Sequence, residues 1–166
     1  MADINSDVIA NIIATPAVKN PVQLVGGRTR SKVGEVELGG AQSNNDVLRF
    51  FRVKSGDRIG SLKLSCDALS GATDVNFGLH VAGAGGASVD GNIFDDAQTL
   101  AVGLIRQEKR VGADSTLNLD TLNLRVWQLL SLSSDPAVEY DVTATLVTAG
   151  SASGTVVLEM EYSAGD

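Results

Sequence analysis

The chain has 166 residues and a formal net charge of −7, and 43% of its residues are apolar but only 4% aromatic. This length fits one domain with its own core, and the single cysteine excludes an intramolecular disulfide or a zinc cluster. No apolar run approaches the roughly 20 residues of a membrane-spanning helix, so no membrane partner is predicted. The amino terminus lacks the basic segment of a secretory signal, so we expect synthesis and folding in a reducing cytoplasm.

Charge is distributed unevenly along the chain. Residues 1–63 carry nine Lys or Arg against six Asp or Glu, residues 64–125 carry four against eight, and residues 126–166 carry six acids and no base. A purely acidic end is poorly suited to coating DNA, so no nucleic-acid partner is predicted. Segregated charge favours contact with copies of the same chain or with another charged protein surface.

Residues 1–20 are predicted to form an arm, and residues 21–166 the domain that follows it. Pro16 and Pro21 exclude a long helix in the arm, although its apolar residues recur at helical spacing. Such an arm packs either on its own sheet edge or on a neighbouring subunit. The apolar residues are Val8, Ile9, Ile12 and Ile13.

A basic strand is predicted next. Arg28, Arg30 and Lys32 fall two apart, on one face of an extended segment, with Thr29 and Ser31 on the other. Burying unpaired cations is costly, so the basic face is predicted to be solvated or to lie in an interface.

Two further strands, residues 46–53 and 58–66, flank a turn at residues 54–57 and are predicted to pair as a hairpin. Cys66 ends the second strand and is predicted to be a buried thiol. Residues 74–82 form another predicted strand, with Val75, Phe77, Leu79 and Val81 on one face. His80 falls on the opposite face and is predicted to be half-exposed.

The glycine-rich residues 83–91 are predicted to be a long flexible loop, and residues 92–101 a short helix with acids in its first turn. The loop lacks the third glycine of a nucleotide-binding pattern. Calcium binding was weighed for Asp90, Asn92, Asp95 and Asp96. Their spacing matches no complete calcium-loop signature, so no metal is predicted.

Residues 125–132 are predicted to form a short helix or tight turn, ended before Pro136. Trp127, the only tryptophan, is expected to fill the core beneath the sheets, because an indole buries a large area. A platform on which a ligand stacks is the alternative.

The strongest pattern lies at residues 138–162. Two runs of alternating apolar and polar residues, 138–149 and 154–162, flank a glycine-bounded turn and predict a long antiparallel hairpin. One face must be covered, so the chain is predicted to be an all-β domain of two sheets with one or two short helices. The residues assigned to the covered faces are Val138, Tyr140, Val142, Ala144, Leu146, Val156, Leu158 and Met160.

The residues needed for common catalytic sites are missing from the sequence. With one histidine and one cysteine, only one nucleophile–base pair of the usual kinds is possible, and nothing near either residue supports it. The glutamate pairs at 35/37 and 159/161 are neighbours on one strand face, which is typical of a solvated sheet. We therefore predict that the chain is not an enzyme and has no catalytic residues and no cofactor.

Three stretches resemble small structural proteins of tailed-bacteriophage virions, of the head decoration or cement (minor capsid) type. The first combines Ile12, Pro16, Gly26-Gly27-Arg28 and Arg30; the second is residues 93–100. The third joins residues 126–132, Ser134-Asp135-Pro136, Glu139-Tyr140-Asp141 and Glu161-Tyr162. Ser131 departs from the pattern, because a glycine is expected there.

The resemblance implies a jelly-roll-like antiparallel β-sandwich that stabilises a capsid by bridging shell subunits. It implies binding to the major capsid protein and to itself, as a homodimer or homotrimer, at the capsid surface of a virion assembled in the host cytoplasm. The predicted interface residues are Val8, Ile9, Ile12, Ile13, Arg28, Arg30 and Lys32. The alternatives are a receptor- or carbohydrate-binding module of a tail fibre, with recognition in residues 83–91, or a neck or tail adaptor.

Overall fold

The computed structural model of the chain describes residues 5–22, 24–69, 73–110 and 117–165. These residues form two four-stranded antiparallel sheets and three short helical segments. The strands are β1 (Thr29–Gly39), β2 (Val47–Lys54), β3 (Arg58–Cys66), β4 (Asp74–Val81), β5 (Ser88–Thr99), β6 (Leu104–Glu108), β7 (Glu139–Thr148) and β8 (Ser153–Ser163). The helices are α1 (Asp7–Ile13), a 3-10 helix (Leu119–Asn123) and α2 (Val126–Leu129).

The predicted all-β sandwich with short helices is confirmed, but both predicted hairpins are wrong. Sheet A has the strand order β1-β8-β3-β6, and sheet B has the order β2-β7-β4-β5. The connections from β2 to β3 and from β7 to β8 therefore cross between sheets. The apolar faces of two strands in opposite sheets can cover each other across a sandwich. In a single hairpin these two apolar faces lie side by side, so a third element would have to cover them.

The predicted alternation of side chains on β7 and β8 is confirmed. Leu146 on β7 and Leu158 on β8 are fully buried, and the other inward positions form the core around them. Val138 is an exception, because it precedes the first residue of β7 and remains exposed. The remaining inward residues of the two strands are Tyr140, Val142, Ala144, Val156 and Met160.

The predicted helix at residues 92–101 and the predicted loop at 83–91 are both wrong, because β5 runs from Ser88 to Thr99. The β5 strand pairs irregularly with β4: Leu79 lies opposite Asp90, but Phe77 lies opposite Asp95. Gly78 permits this bulge, since a Cβ there would lie 2.2 Å from the carbonyl oxygen of Asp90. The irregular segment between the two strands is reduced to residues 82–87.

A lysine closes each open side of the sandwich. On the β5–β6 side, Lys109 Nζ lies 2.7 Å from Asp95 Oδ2, both side chains are almost fully buried, and Lys109 also donates to Gln98 Oε1. On the β1–β2 side, Lys32 Nζ lies 4.9 Å from the centre of the Tyr162 ring and donates to the carbonyl oxygen of Arg52. The two sheets are thus fixed to each other at both edges.

The segment after β6 is more buried than its sequence indicates. Arg110 is fully buried and donates to the carbonyl oxygens of Ile59, at 3.2 Å, and Thr121, at 2.7 Å. Burial lowers the pKa of Arg110 to about 10, so the guanidinium stays charged at neutral pH.

Within the described part of the chain, no helix is long and apolar enough to cross a bilayer.

The buried ion pair between Asp95 and Lys109 predicts a large loss of stability when one partner is removed. Asp95→Ala should lower the free energy of unfolding by about 3 kcal/mol, because it leaves a buried ammonium without its carboxylate. Asp95→Leu combined with Lys109→Met should recover most of that loss, since both charges are then gone. Denaturant unfolding measures both effects.

Asp96→Ala is the matched control, because Asp96 is the exposed neighbour of Asp95. It should change the free energy of unfolding by less than about 0.5 kcal/mol. Equal stabilities for the Asp95→Ala and Asp96→Ala variants would contradict a role for the ion pair in holding the sheets together.

Candidate interaction surface

The arm presents apolar side chains that its own fold does not cover. Ser6 caps α1 by accepting a hydrogen bond from the amide of Ile9, and no residue of the helix is buried. The side chains of Ile9, Ile12 and Ile13 are 44%, 58% and 62% exposed, whereas Val8 is half-buried. Exposed apolar groups at this density are typical of a surface that binds a partner.

The arm is also folded back on itself. The side-chain amide of Asn20 donates to the carbonyl oxygen of Val8, at 3.1 Å, and Asn11 donates to Asn20 Oδ1, at 2.8 Å. These bonds join the helix to the extended segment that follows it. The arm therefore has a defined local shape, and a partner would not have to order it completely.

The basic strand face divides into two parts. Arg28 and Arg30 are exposed, as predicted, but Lys32 is half-buried because it reaches across the gap between the sheets. Arg52 and Lys54 on β2 line the same hollow as Arg30 and Lys32, with Tyr162 among the residues around it. The sequence analysis missed Arg52 and Lys54, because only the packing of one sheet on the other brings β2 beside β1.

The basic side chains that line this hollow are called the basic cluster below, and part of their charge is already neutralised within the chain. Arg52 lies 3.2 Å from Asp141 and 3.7 Å from Glu139. Among the described residues, no ion pair within 4.0 Å involves Arg28, Arg30 or Lys54. Their charges are therefore available to an acidic partner.

The outer face of sheet A is open to solvent and is called the open face below. Val33 is 67% exposed, and Ile105 on the edge strand is 89% exposed. Glutamates on β1 and β8 surround the half-buried Val157; they are Glu35, Glu37, Glu159 and Glu161. Two cations pair with this acidic rim: Arg106 lies 2.9 Å from Glu159, and Lys63 lies 3.9 Å from Glu161.

Part of the outer face of sheet B, by contrast, is covered by residues 82–87. The amide of Gly83 donates to Asp141 Oδ2 at 3.0 Å. Arg49 donates to the same carboxylate at 2.8 Å and to the carbonyl oxygen of Gly86 at 2.9 Å. Although burial alone would raise it, these hydrogen bonds hold the pKa of Asp141 below its usual value. The predicted flexible loop is therefore fixed at both of its ends.

His80 lies beneath this covered face and is buried, so the prediction of a half-exposed side chain is wrong. The cause is its position on the inner strand β4, where Asp141 of β7 lies opposite on one side and Ser88 of β5 on the other. His80 Nδ1 lies 2.8 Å from Thr143 Oγ1, and Thr143 donates to the carbonyl oxygen of Gly78. Burial and the nearby Arg49 guanidinium lower the pKa of His80, with Asp141 acting in the opposite direction.

The other side chains considered for chemistry do not meet in one site. Cys66 lies in sheet A and His80 in sheet B. The Cys66 thiol is only half-buried, contrary to prediction, and burial raises its pKa. Asp95 is engaged by Lys109, and the described residues contain no group of three or more His, Cys, Asp or Glu that could hold a metal ion.

The turn that contains Trp127 differs from its prediction in one respect. Val126, not Trp127, is fully buried, and the indole is half-buried beside it. The amides of these two residues donate to the carbonyl oxygens of Asp57 and Ser55 and so fix α2 against the turn after β2. Ser131 has a φ of +56°, the left-handed conformation that glycine adopts most easily, which explains why a glycine is expected there.

No protein-family model and no curated protein matches the sequence. Solved structures that match the fold include chains of two phage capsids. A chain of the capsid of Ralstonia phage GP4 is 14% identical, with a TM-score of 0.62 over 84% of this chain and 86% of that chain. A chain of the cyanophage Pam1 capsid asymmetric unit is 21% identical, with a TM-score of 0.51 over 98% of this chain and 99% of that one. The chain thus shares its jelly-roll-like sandwich fold with chains of phage capsids.

The burial of neutral His80 predicts a loss of stability in mild acid. As the pH falls below 6.5, the usual pKa of histidine, the imidazole of His80 becomes protonated in the unfolded chain before it does so in the folded chain, where its pKa is lower. The free energy of unfolding should therefore fall between about pH 7.5 and 5.5, by at most about 1.4 kcal/mol per pH unit. Urea unfolding across this range measures the slope, and His80→Gln should flatten it. An identical slope in the variant would contradict this account.

Proposed function

We propose that the chain is a structural protein of a tailed-phage virion, a decoration or cement protein that binds the major capsid shell and stabilises it by bridging shell subunits. The observation that carries the proposal is the fold similarity to two chains of phage capsid structures, one of which spans almost the full length of both proteins. The proposed location is the capsid surface, after assembly in the host cytoplasm, and the proposed activity is adhesion without catalysis.

The rigidity of the sandwich supports this role. Lys109 and Lys32 join the two sheets at both edges, and Asp141 and Arg49 hold residues 82–87 on sheet B. A clamp between shell subunits must resist shear without changing shape. Many copies of a weakly binding clamp can still stabilise a shell strongly, because binding at repeated sites adds avidity.

The exposed surfaces support adhesion through one end of the chain. Of the fifteen exposed large apolar side chains among the described residues, six lie between residues 9 and 25. Arg28 and Arg30 follow directly, and neither forms an ion pair with another described residue. The proposed contacts to the shell or to other copies are Val8, Ile9, Ile12, Ile13, Arg28, Arg30 and Lys32, with Lys32 acting mainly through its place between the sheets.

The alternative of glycan recognition by the glycine-rich loop receives no support from its chemistry. Residues 82–87 consist only of alanine and glycine, and the rest of the predicted recognition stretch, residues 88–91, belongs to β5. Such side chains can neither donate hydrogen bonds to a sugar nor stack on its ring. The carbonyl oxygens of Val81 and Gly86 are already bound by Arg49.

Binding to empty shells tests the proposal. Purified protein should cosediment with empty shells of its phage and saturate at a fixed number of copies per shell. Replacing Ile9, Ile12 and Ile13 together by serine should weaken binding by at least about tenfold, because the apolar contacts are lost from every repeated site. The matched control replaces three exposed valines outside the arm, Val81, Val89 and Val138, by serine and should bind as the unmodified protein does.

If neither the unmodified protein nor the control variant cosediments with the shells, the shell-binding role is contradicted. Equal binding of the two serine variants would contradict the arm's part in it. Copy number in the intact particle separates the remaining alternative: a decoration protein should be present in on the order of hundreds of copies, and a neck or tail adaptor in about a dozen or fewer.

A further inference from the structure

The two outer faces of the sandwich differ in what covers them. On sheet B, residues 82–87 are hydrogen-bonded to Asp141 and Arg49, and Asp141, Thr143 and His80 are buried although their side chains point away from the core. On sheet A nothing comparable is present among the described residues, and Val33 stays 67% exposed. An exposed apolar centre with a charged rim is the usual organisation of a protein-binding patch.

The arm and the open face are complementary in both apolar character and charge. The arm offers an apolar helix followed by Lys19, Arg28 and Arg30, with Asp7 as its only acid among the described residues. The open face offers Val33, Val157 and Ile105, surrounded by four glutamates of which two are paired with cations. These are Glu35, Glu37, Glu159 and Glu161, with Glu159 and Glu161 the paired ones. Each surface thus supplies what the other lacks.

We infer that the arm of one copy binds the open face of sheet A on a second copy. The apolar face of α1 covers Val33 and Val157, and Arg28 and Arg30 lie near Glu35 and Glu37 of the second copy. This inference rests on the proposed function, in that it identifies a second copy of the chain as the partner of the arm.

The exposures within one chain favour a second copy over the chain's own sheet. If the arm packed on its own sheet A, both Ile12 and Val33 would be covered, yet they are 58% and 67% exposed. The hydrogen bonds of the described arm residues join the arm to itself. Since donor and acceptor are different surfaces, two copies can exchange arms reciprocally, and three can pass them around a ring.

Disulfide trapping between two differently marked chains tests this arrangement. Cys66 is first replaced by serine in every variant, so that only introduced thiols react. One chain carries Ile12→Cys, and a second chain, labelled with nitrogen-15, carries Val33→Cys. After mixing and mild oxidation, mass spectrometry should find the mixed dimer at a yield at least about fivefold above that with a control chain, because docking raises the local thiol concentration.

The control chain carries Val147→Cys, an exposed valine of sheet B. Equal yields with Val33→Cys and Val147→Cys would overturn the inference. So would a disulfide-closed monomer as the main product when Ile12→Cys and Val33→Cys are placed in one chain, since the arm would then lie on its own sheet. Glu35→Lys with Glu37→Lys in the acceptor chain should reduce the yield of the mixed dimer. An unchanged yield would show that these charges do not contribute to docking.

The shell-binding experiment keeps this outcome separate from the proposed function. Shell binding without trapping would overturn arm exchange and leave the decoration role in place. Trapping without shell binding would overturn the decoration role and leave arm exchange in place.

Discussion

The apolar core between the two sheets, flanked by a lysine at each open side, is the feature on which the sandwich depends most. Sheets of four strands leave two open sides, and apart from β4 and β5, which pair with each other, successive strands lie in opposite sheets. At one side an ion pair of 2.7 Å joins the segment after β6 to β5. At the other, Lys32 bridges β1 and β2 beside Tyr162. These contacts hold the two sheets in a fixed position relative to each other.

A rigid body of this kind directs its interactions to the surfaces left uncovered. Asp141 and Arg49 hold residues 82–87 over part of sheet B, which covers the region around Asp141. The arm, the basic cluster around Arg30 and the open face of sheet A remain. All three include β1 or the segment before it, and the open face extends from β1 across sheet A to Ile105 on β6. The surfaces proposed for adhesion therefore lie on sheet A or beside its β1 edge.

The sequence predicts the strands and their buried faces well, because alternation of side chains is a local property. Leu146 and Leu158 were assigned to the core correctly on that basis. Alternation does not say which strand lies alongside, so the predicted hairpin of β7 with β8 was wrong. The helix predicted at residues 92–101 failed because acids in a first turn are a weaker signal than pairing with β4.

The surface residues show the same division between local and long-range information. Arg28 and Arg30 could be placed on an exposed strand face from their spacing, and their role in an interface stays a prediction. The burial of His80 depends on its contact with Thr143 on the neighbouring strand β7, and the burial of Lys109 depends on Asp95, which lies on β5. Arg52 joins the basic cluster only because β2 lies across the gap from β1. No pattern within a single segment encodes these contacts.

Amide hydrogen exchange of the protein free and bound to empty shells measures the central claim most directly, because it locates the adhesive surface without altering any residue. Compared with dilute protein in which the copies are separate, the account predicts slower exchange on the shell at residues 7–13 and 28–32, with residues 82–87 unchanged. Slower exchange confined to residues 82–87, or no change anywhere in the chain, would contradict it.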